Sequence, residues 1–590
     1  MTRASGWLTE QLRQITASGD PNRLKLRPKQ LFATCLLVFF VALGVRLLTW
    51  HDLRQEVWKV QTYVTSDYKY SAYLLARHEF KTFLTDLNRL GHPPGYPIVL
   101  AGIFKVLGDS DGAVQLVQIF CDSIAAVLLF LIAFELLPVG AAIIAGLLAA
   151  FSPQFSYHAV LVLPDSLAVL PILIAIYLIV RARRPRLLTF ALAGVFLGLS
   201  CWLRANALLL APFLAVVLML LFQEGQRLRF ATALIAGVVL TIAPITIKNY
   251  IVFHHFVPLS LGAGQTLLEG ISDYDKEGRF NIPLTDLGIM RQEAEWYHKP
   301  EYALLLFGQD GIQRERMRTA RGFAAIRSRP VWFLGVMGRR GMASLKLDRV
   351  PIVSPEAPVA HALSGADRLQ PIWTKSPTDL IAAAGGIASN GTHFELVDGG
   401  HMLRLVGDAS KYGNQIVSSP IAVERDRDYV VRLPLKLEEG RALVKVVDAD
   451  DTRVLASIVI DLAEGVAPTD QALQRLEIPF VSGNFSTVRL VLANNASTPG
   501  PPVARMGQAE VFELGPSAYQ WTRYPRSVVR NLQRVFLTAW MLPLATLGIL
   551  IMLRARRGRT AVILLSVPLY YLIFQSALHT ERRYVIAIHY

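Results

Sequence analysis

The sequence predicts a polytopic α-helical membrane protein that also carries a β-sandwich domain outside the membrane. Of its 590 residues, 53% are hydrophobic and only 18% are charged, whereas soluble domains carry about 25% charged residues. Nine apolar windows are long enough for spanning helices. A later polar region alternates apolar and polar residues between turns, which is the pattern of strands.

The predicted spans follow from length and from the placement of basic residues. The windows are 31–50, 112–136, 139–161, 165–180, 187–203, 205–222, 230–248, 535–553 and 560–578. Basic runs such as "RARRPR" and "RARRGR" are typical of cytoplasmic loops. All these basic runs lie on the cytoplasmic side of the membrane only if the 14-residue apolar segment 95–108 does not cross it. This segment is then expected to form a short helix at the outer surface of the membrane. In the alternative, 95–108 crosses and a neighbour does not, so the expected total is about 9–10 spans.

The chain divides into five predicted regions. They are a cytoplasmic N-terminal tail (1–30), a seven-helix transmembrane module (31–248) with an outer loop (51–111), an extracytoplasmic helical region (249–375), a jelly-roll-like β-sandwich (376–515) and C-terminal transmembrane helices (516–590). The basic N-terminus runs into the first span without a small-residue cleavage site, which predicts a signal anchor. Three cysteines lie in apolar runs, so no disulfide framework is expected. Membrane topology explains the net charge of +15 better than nucleic-acid binding does.

Four charged positions are predicted to meet at the outer mouth of the helices, where ionisable groups tend to be functional. Asp67 lies in "SDYKY", Asp165 in "VLPDSLAVL", Arg204 in "CWLRANALLL", and Arg582–Arg583 in "HTERRYVIA". Each has a structural alternative. Asp67 and Asp165 could be helix N-caps. Arg204 could extend its side chain to the membrane interface. The Arg582–Arg583 motif could belong to an ordinary belt of charged residues at that interface.

These residue types favour one kind of chemistry. A carboxylate can act as base toward a hydroxyl, arginines bind phosphate bidentately, and two acids can hold a divalent cation through oxygen ligands. Together they describe attack by an acceptor alcohol on a sugar attached to a lipid phosphate. Because phosphate is a good leaving group, no second carboxylate is needed as general acid, unlike in a glycosidase.

The order of these motifs resembles that of the integral-membrane glycosyltransferases of the C superfamily. The resemblance is strongest to the branch of the protein O-mannosyltransferases and the aminoarabinose transferases that modify lipid A. It covers about 31–350 and 530–590. The matching pieces are "SDYKYSAYLLARHEF", "GHPPGYPIVLAGIFKVLGDSDGAVQLVQ", "FSPQFSYHAVLVLPDSLAVLPILIAIYLI", "LAGVFLGLSCWLRANALLLAPF", "RTARGFAAIRSRPVWFLGV" and "HTERRYVIAIHY".

The resemblance implies a glycosyltransferase that uses a polyprenyl-phosphate sugar on the extracytoplasmic face, with inversion at the anomeric carbon. It implies Asp67 as the base. The implied donor-phosphate ligands are Arg204, Arg582, Arg583, His579 and Tyr584, and the implied substrate contacts are Asp165, Tyr68, Lys69 and His92. A divalent cation (Mg²⁺, Mn²⁺ or Ca²⁺) at Asp67 and Asp165 is a further expectation. Family members often carry two adjacent acids in the first loop, whereas Asp67 lies between Ser66 and Tyr68, so the role of base is better supported than that of metal ligand.

The expected location is a bacterial inner membrane, with the large domain on the periplasmic side. The expected partners are the bilayer, a polyprenyl-phosphate sugar donor, and a glycan, lipid or protein acceptor, with no nucleic acid. Two other functions are compatible with the sequence. A flippase for a lipid-linked glycan needs the charges for binding but no base. A membrane-anchored glycan-binding protein needs only the sandwich, which resembles carbohydrate-binding modules.

Overall fold

The computed structural model describes most of the chain and divides it into two compact units. The described residues are 26–53, 60–182, 186–221, 224–347, 351–384, 391–408, 413–461, 474–494 and 502–589. The first unit comprises Met1–Val353 and Val529–Tyr590, and the second comprises Ser354–Val528. Most of the predicted N-terminal tail therefore lies outside the described residues.

The first unit is helical. Its helices are α1 (Pro28–Leu53), α2 (Tyr63–Ala76), α3 (Phe80–Thr85), α4 (Gly95–Leu107), α5 (Asp111–Leu136), α6 (Val139–Phe151), α7 (Pro153–Val160), α8 (Asp165–Arg181), α9 (Leu187–Leu203), α10 (Leu210–Leu221), α11 (Glu224–Phe253), α12 (Ala263–Ser272), α13 (Asp286–Tyr297), α14 (Gly311–Ser328) and α15 (Pro330–Ser344). The second unit carries α16 (Pro377–Ala384) and the first half of α17 (Arg523–Gln533), which crosses the boundary at Val528. The helices α18 (Thr538–Arg554) and α19 (Gly558–Phe574) follow.

A helix occupies each of the nine predicted windows, and the chain is a multi-pass membrane protein. Four helices among the described residues are long and apolar enough to cross a bilayer alone: α1, α5, α11 and the one that begins at Gly558. Two bent pairs raise this number to six if each is one span. The other three windows hold α8, α9 and α10, which have 17, 17 and 12 residues. At 1.5 Å per residue, these are shorter than a typical hydrocarbon core of about 30 Å.

One predicted span is broken, and another begins later than predicted. Between α6 and α7 the axis bends by 47°, because Ser152 caps a new helix through the backbone N–H of Phe155 and Pro153 occupies its first turn. The window 535–553 begins too early, since α17 ends at Gln533 and α18 starts at Thr538 after a 62° bend. An apolar run alone does not reveal such breaks.

The helices of the bundle approach closely where glycines face each other. The pair α9 and α11 is packed through Gly194 and Gly237, and a Cβ on either one would overlap a backbone carbonyl oxygen of the opposite helix, that of Leu234 or of Ala191. Small residues allow this approach in membrane helices, where there is little hydrophobic force to join them. This contact lies in the middle of α9, the helix that Arg204 follows.

The predicted first outer loop (51–111) is held against the ends of the spans by buried polar contacts. Helix α4 has 13 residues, as the short helix predicted at 95–108 requires. Its Tyr96 hydroxyl donates to Gln118 Oε1 over 2.8 Å, and the Gln118 amide donates to the carbonyls of Leu161 (2.8 Å) and Leu163 (3.2 Å). Gln118 therefore ties the loop to the segment immediately before Asp165.

The second unit is a β-sandwich. Its strands are β1 (Trp373–Lys375), β2 (His393–Val397), β3 (Met402–Val406), β4 (Asn414–Val417), β5 (Ile421–Ala422), β6 (Arg427–Glu439), β7 (Arg441–Asp448), β8 (Val454–Asp461), β9 (Gln474–Val481), β10 (Thr487–Asn494), β11 (Val503–Met506) and β12 (Ala509–Pro516). They form a seven-stranded sheet in the order β1-β12-β6-β11-β3-β2 with β9 beside β6, and a five-stranded sheet in the order β4-β10-β7-β8 with β5 beside β10. The recorded pairings are antiparallel.

The two sheets share one apolar core, as alternating strands predict. Leu405 and Val431 from the larger sheet and Val444 and Leu490 from the smaller one belong to the same buried cluster. The unit begins earlier than the predicted boundary at 376. The reason is that Trp373 in β1 pairs with Val511 in β12, so the chain before 376 already belongs to the sheet.

The helix contact at Gly237 gives a first prediction. Gly237→Ala should destabilise the protein by about 1–3 kcal/mol or more, since the added methyl group overlaps a backbone carbonyl that cannot rotate away. Gly44→Ala, in α1, is the matched control because nothing lies within 4 Å of its added Cβ. Thermal unfolding in detergent should show a lower midpoint for the first variant only. Equal midpoints for both variants would contradict this packing.

Candidate functional site

A cavity lies where the ends of four segments of the helical unit meet. Its lining residues are Asp165, Ala168, Val169, Ile172, Arg204, Asn206, Tyr571, Arg583, Tyr584, Ile586 and Ala587. They come from the start of α8, the turn after α9, helix α19 and the 3₁₀ turn Arg582–Ile588. Four predicted site residues, Asp165, Arg204, Arg583 and Tyr584, come from distant parts of the sequence and line the same cavity.

An ion pair between Asp165 and Arg204 forms one wall of the cavity. Asp165 is the first residue of α8 and only 4% exposed, and its Oδ1 accepts from Arg204 Nη2. The other oxygen, Oδ2, and the Nε–H of Arg204 are buried and have no hydrogen-bond partner among the described residues. Buried polar atoms are nearly always paired, so these two atoms indicate a place for a polar ligand.

Tyr584 organises the opposite wall. The guanidinium carbon of Arg204 lies 4.6 Å from the centroid of the Tyr584 ring, and that of Arg583 lies 5.1 Å from it. Asn206 fixes this tyrosine by donating to its carbonyl oxygen over 3.1 Å. Arg583 Nε also pairs with Glu581 over 2.5 Å, but that carboxylate is 46% exposed. One aromatic ring thus carries two guanidinium groups at once, each by a cation–π contact.

Tyr68 and His92 bring the first outer loop to this site. Tyr68 in α2 is 1% exposed, its ring lies 4.8 Å from that of His92, and its hydroxyl has no partner among the described residues. Burial and, to a smaller extent, the positive charges of Arg204, Arg583 and Arg89 together lower the pKa of His92 to about 4. The ring is therefore neutral at pH 7. Its lowered pKa reflects the positive charge nearby, which favours the binding of an anion.

Asp67 lies one residue before Tyr68 but is not among the residues that line the cavity. Its side chain is half-buried, and burial raises the pKa of its carboxyl while Arg89 lowers it. Arg89 contacts the same turn of α2 through the Ser71 hydroxyl, at 3.1 Å. The nearby Lys69 points elsewhere and pairs with Asp111 over 2.5 Å.

His579 and Arg582 differ from the other predicted phosphate ligands. His579 Nδ1 lies 2.9 Å from Asp273 Oδ2, and this hydrogen bond raises the pKa of the imidazole. That contact belongs to the segment after α12, and His579 does not line the cavity. The side chain of Arg582 lies outside the described residues. The roles of both in donor binding stay predictions.

The expected divalent cation finds no complete set of ligands. Within the described ranges, no three His, Cys, Asp or Glu side chains form a group that could hold a metal ion. Asp165 already neutralises Arg204, and Asp67 lacks an adjacent acid. These residues do not fit a resident cation, and no chemical step is assigned to one.

Sequence reasoning missed three residues that shape the site: Asn206, Arg89 and Tyr571. Asn206 lies two residues after Arg204, so its position carried a signal, yet an asparagine in a short turn has many ordinary roles. Arg89 lies in a loop, and only the folded structure shows that its charge acts on Asp67 and His92. Tyr571 lies within an apolar span and resembles a core residue.

The pKa shifts of His92 and His579 predict opposite effects of pH on the stability of the fold. The folded pKa of His92 lies below its unfolded value of about 6.5, so its protonation favours the unfolded chain as pH falls from about 6.5 to 4. His92→Gln should therefore remove a loss of stability in that window, worth up to about 3 kcal/mol. His579→Gln is the control, since the raised pKa of His579 stabilises the fold below pH 6.5 and this contribution is lost as pH rises. Thermal midpoints between pH 4 and 8 check both, and parallel curves for the two variants would contradict the assignment.

Comparison with solved structures gives only remote likenesses. The cryo-EM structure of the arabinosyltransferase EmbB from Mycobacterium smegmatis aligns at 12% identity and a TM-score of 0.22, covering 85% of this chain and 67% of that one. An arabinose-bound MgGH51 α-L-arabinofuranosidase aligns at 14% identity and a TM-score of 0.18, covering 28% of each chain. TM-scores this low do not establish a shared fold. No curated protein matches the chain.

A family model provides the informative match. The model described as dolichyl-phosphate-mannose-protein mannosyltransferase matches residues 91–251. This segment begins in the first outer loop, contains Asp165 and Arg204, and ends in α11. Over this segment the chain is similar to that family of membrane glycosyltransferases, in agreement with the resemblance stated from the sequence.

Proposed function

We propose that the protein transfers a monosaccharide from a polyprenyl-phosphate donor to an acceptor hydroxyl on the extracytoplasmic face of a bacterial inner membrane, with inversion at the anomeric carbon. One observation carries the proposal. Two guanidinium groups, those of Arg204 and Arg583, meet on the ring of Tyr584 in a cavity among apolar helices. Such a site suits a phosphate whose lipid chain remains in the bilayer.

The local charge supports an anionic ligand. The charges that act on His92 are those of three arginines, and all lower its pKa. Although Asp165 neutralises part of Arg204, the Arg204 Nε–H has no partner among the described residues. A phosphate oxygen can accept from this group and from the Tyr68 hydroxyl, and such hydrogen bonds are strong because one partner is charged.

The proposed reaction is a direct displacement at the anomeric carbon. The acceptor oxygen forms a bond to this carbon while the bond to the phosphate oxygen breaks, and the phosphate leaves with the electron pair. Asp67 takes the proton of the acceptor hydroxyl. Arg204 and Arg583 stabilise the charge on the leaving phosphate, a form of electrostatic stabilisation that usually dominates catalysis.

Asp67 suits the role of base for two reasons. Burial raises its pKa, which makes the carboxylate a better proton acceptor near neutral pH. It also adjoins Tyr68 on α2, so the acceptor and the donor phosphate approach neighbouring faces of one helix. Asp165, by contrast, is held by Arg204, and its unpartnered Oδ2 suits a hydroxyl of the bound sugar.

Replacing the proposed base tests the mechanism. Asp67→Asn should lower the rate of sugar transfer by about 10²–10⁴-fold, the usual contribution of a general base, while donor binding stays within about twofold of wild type. Asp109→Asn is the matched control, because Asp109 is an exposed acid of the same loop. Purified protein would be assayed with a panel of polyprenyl-phosphate sugars and acceptors. Transfer by the Asp67 variant at a rate near wild type would exclude this base.

Replacing a proposed phosphate ligand tests the donor site separately. Arg583→Gln should weaken donor binding by about 10–100-fold, since a hydrogen bond to a charged group contributes about 1.5–3 kcal/mol. Arg77→Gln, an exposed arginine of the first loop, should leave binding unchanged. Titration with a fluorescent polyprenyl-phosphate sugar measures both. A flippase would bind the same donor but would release no sugar to any acceptor, so the transfer assay separates the two functions.

A further inference from the structure

Helix α17 and the residues at its two ends present three different faces. The buried face carries Arg526 (1% exposed), Val529 (5%) and Gln533 (0%). Its cations are satisfied by the protein itself. Arg526 donates to the Thr522 hydroxyl over 3.0 Å and to a backbone carbonyl over 3.2 Å, and Arg530 donates to the carbonyl of Val353 over 2.6 Å. The charges of this helix are therefore turned mostly inward, the reverse of an ordinary surface helix.

The exposed side is divided into an apolar stripe and a polar stripe. The apolar stripe consists of Trp521 (73% exposed), Tyr524 (83%), Val528 (57%), Leu532 (39%) and Val535 (47%). Its members are spaced by three or four residues and so lie along one side of the helix. The polar stripe consists of Ser527, Asn531 and Arg534, which are also exposed.

The apolar stripe continues into a membrane span. The helical segment Gln520–Gln533 is followed, after a 62° bend, by α18. That span has no buried residue in the described structure, and its large side chains are exposed, among them Trp540 (63%), Leu544 (59%) and Leu550 (57%). Because spans tilt by about 20° on average, a helix at 62° to its span can lie near the plane of the membrane.

We propose that α17 is an interfacial helix whose apolar stripe, the side chains of Trp521, Tyr524, Val528, Leu532 and Val535, is inserted into the surface layer of the lipid bilayer. Amphipathic helices at this position bury their apolar face about 5–10 Å into the boundary between headgroups and acyl chains. Trp and Tyr at one end suit this layer, where aromatic residues are enriched. The polar stripe then faces the headgroups and water.

A lipid surface fits better than a second copy of the chain or another protein. The stripe is narrow, and it is directly joined to a span whose exposed side chains need lipid. The polar stripe beside it supplies the boundary with water that an interfacial helix requires. This placement does not depend on the proposed sugar transfer, because it concerns no residue of the cavity.

Nitroxide labels on neighbouring positions test the placement. The full-length protein would be labelled at Tyr524→Cys and Val528→Cys, with Ser527→Cys and Asn531→Cys as matched controls, in nanodiscs of phosphatidylethanolamine and phosphatidylglycerol. The signal of equally treated wild type is subtracted, since Cys35, Cys121 and Cys201 lie in apolar helices. All four positions are exposed, so the substitutions remove no core contact.

The expected result is a several-fold higher ratio of oxygen to nickel-chelate accessibility at 524 and 528 than at 527 and 531, since oxygen concentrates in lipid and the chelate stays in water. Equal ratios at all four positions would overturn the proposal by placing the stripe in water. Labels at 524 and 528 that are shielded from both reagents would also overturn it, because a protein partner would then cover the stripe. Brominated lipids give an independent measurement, in which Trp521→Phe should reduce the fraction of quenched tryptophan emission. An unchanged fraction would count against insertion.

Discussion

The buried ion pair of Asp165 and Arg204 is the interaction on which the site depends. It joins the first residue of α8 to the residue that ends α9, so it fixes the two helix ends that line the cavity. Taking charges out of water is costly, and removing one partner of such a pair typically costs about 3–5 kcal/mol. The pair is therefore weak evidence for stability in itself but strong evidence for a specific arrangement.

The rest of the cavity is built outward from this pair. Arg204 offers its face to Tyr584, Tyr584 receives Arg583 on the same ring, and Asn206 ties the tyrosine back to the turn that holds Arg204. The Tyr570 hydroxyl in turn donates to the carbonyl of Asn206 over 2.6 Å. Each guanidinium is thus held by an aromatic ring as well as by a carboxylate, which orders it before any ligand binds. Such preorganisation is what makes fixed charges effective in catalysis.

The sequence was a good guide to the helices, the sandwich and part of the site, for reasons that differ between them. Apolar length and strand alternation depend on local sequence alone, so the helix windows and the sandwich were predictable. Asp165 and Arg204 stood out because charges between apolar runs are rare. Lys69 and His579 were grouped with them by proximity in the sequence, but they pair with Asp111 and Asp273. Those partners come from other segments, and only the folded chain brings them together.

The two carboxylates of the site differ through their environments rather than their chemistry. Asp165 receives a guanidinium hydrogen bond, so its carboxyl group is held in place and one of its two oxygens is already occupied. Asp67 has burial without such a partner, since Arg89 reaches the Ser71 hydroxyl and lowers the pKa of Asp67 only through its charge. In the sequence, Asp67 and Asp165 are both single acids with no acidic neighbour. The two carboxylates differ because Arg204 donates a hydrogen bond to Asp165, whereas Arg89 acts on Asp67 only through its charge. Both arginines lie far along the chain from the acids that they affect.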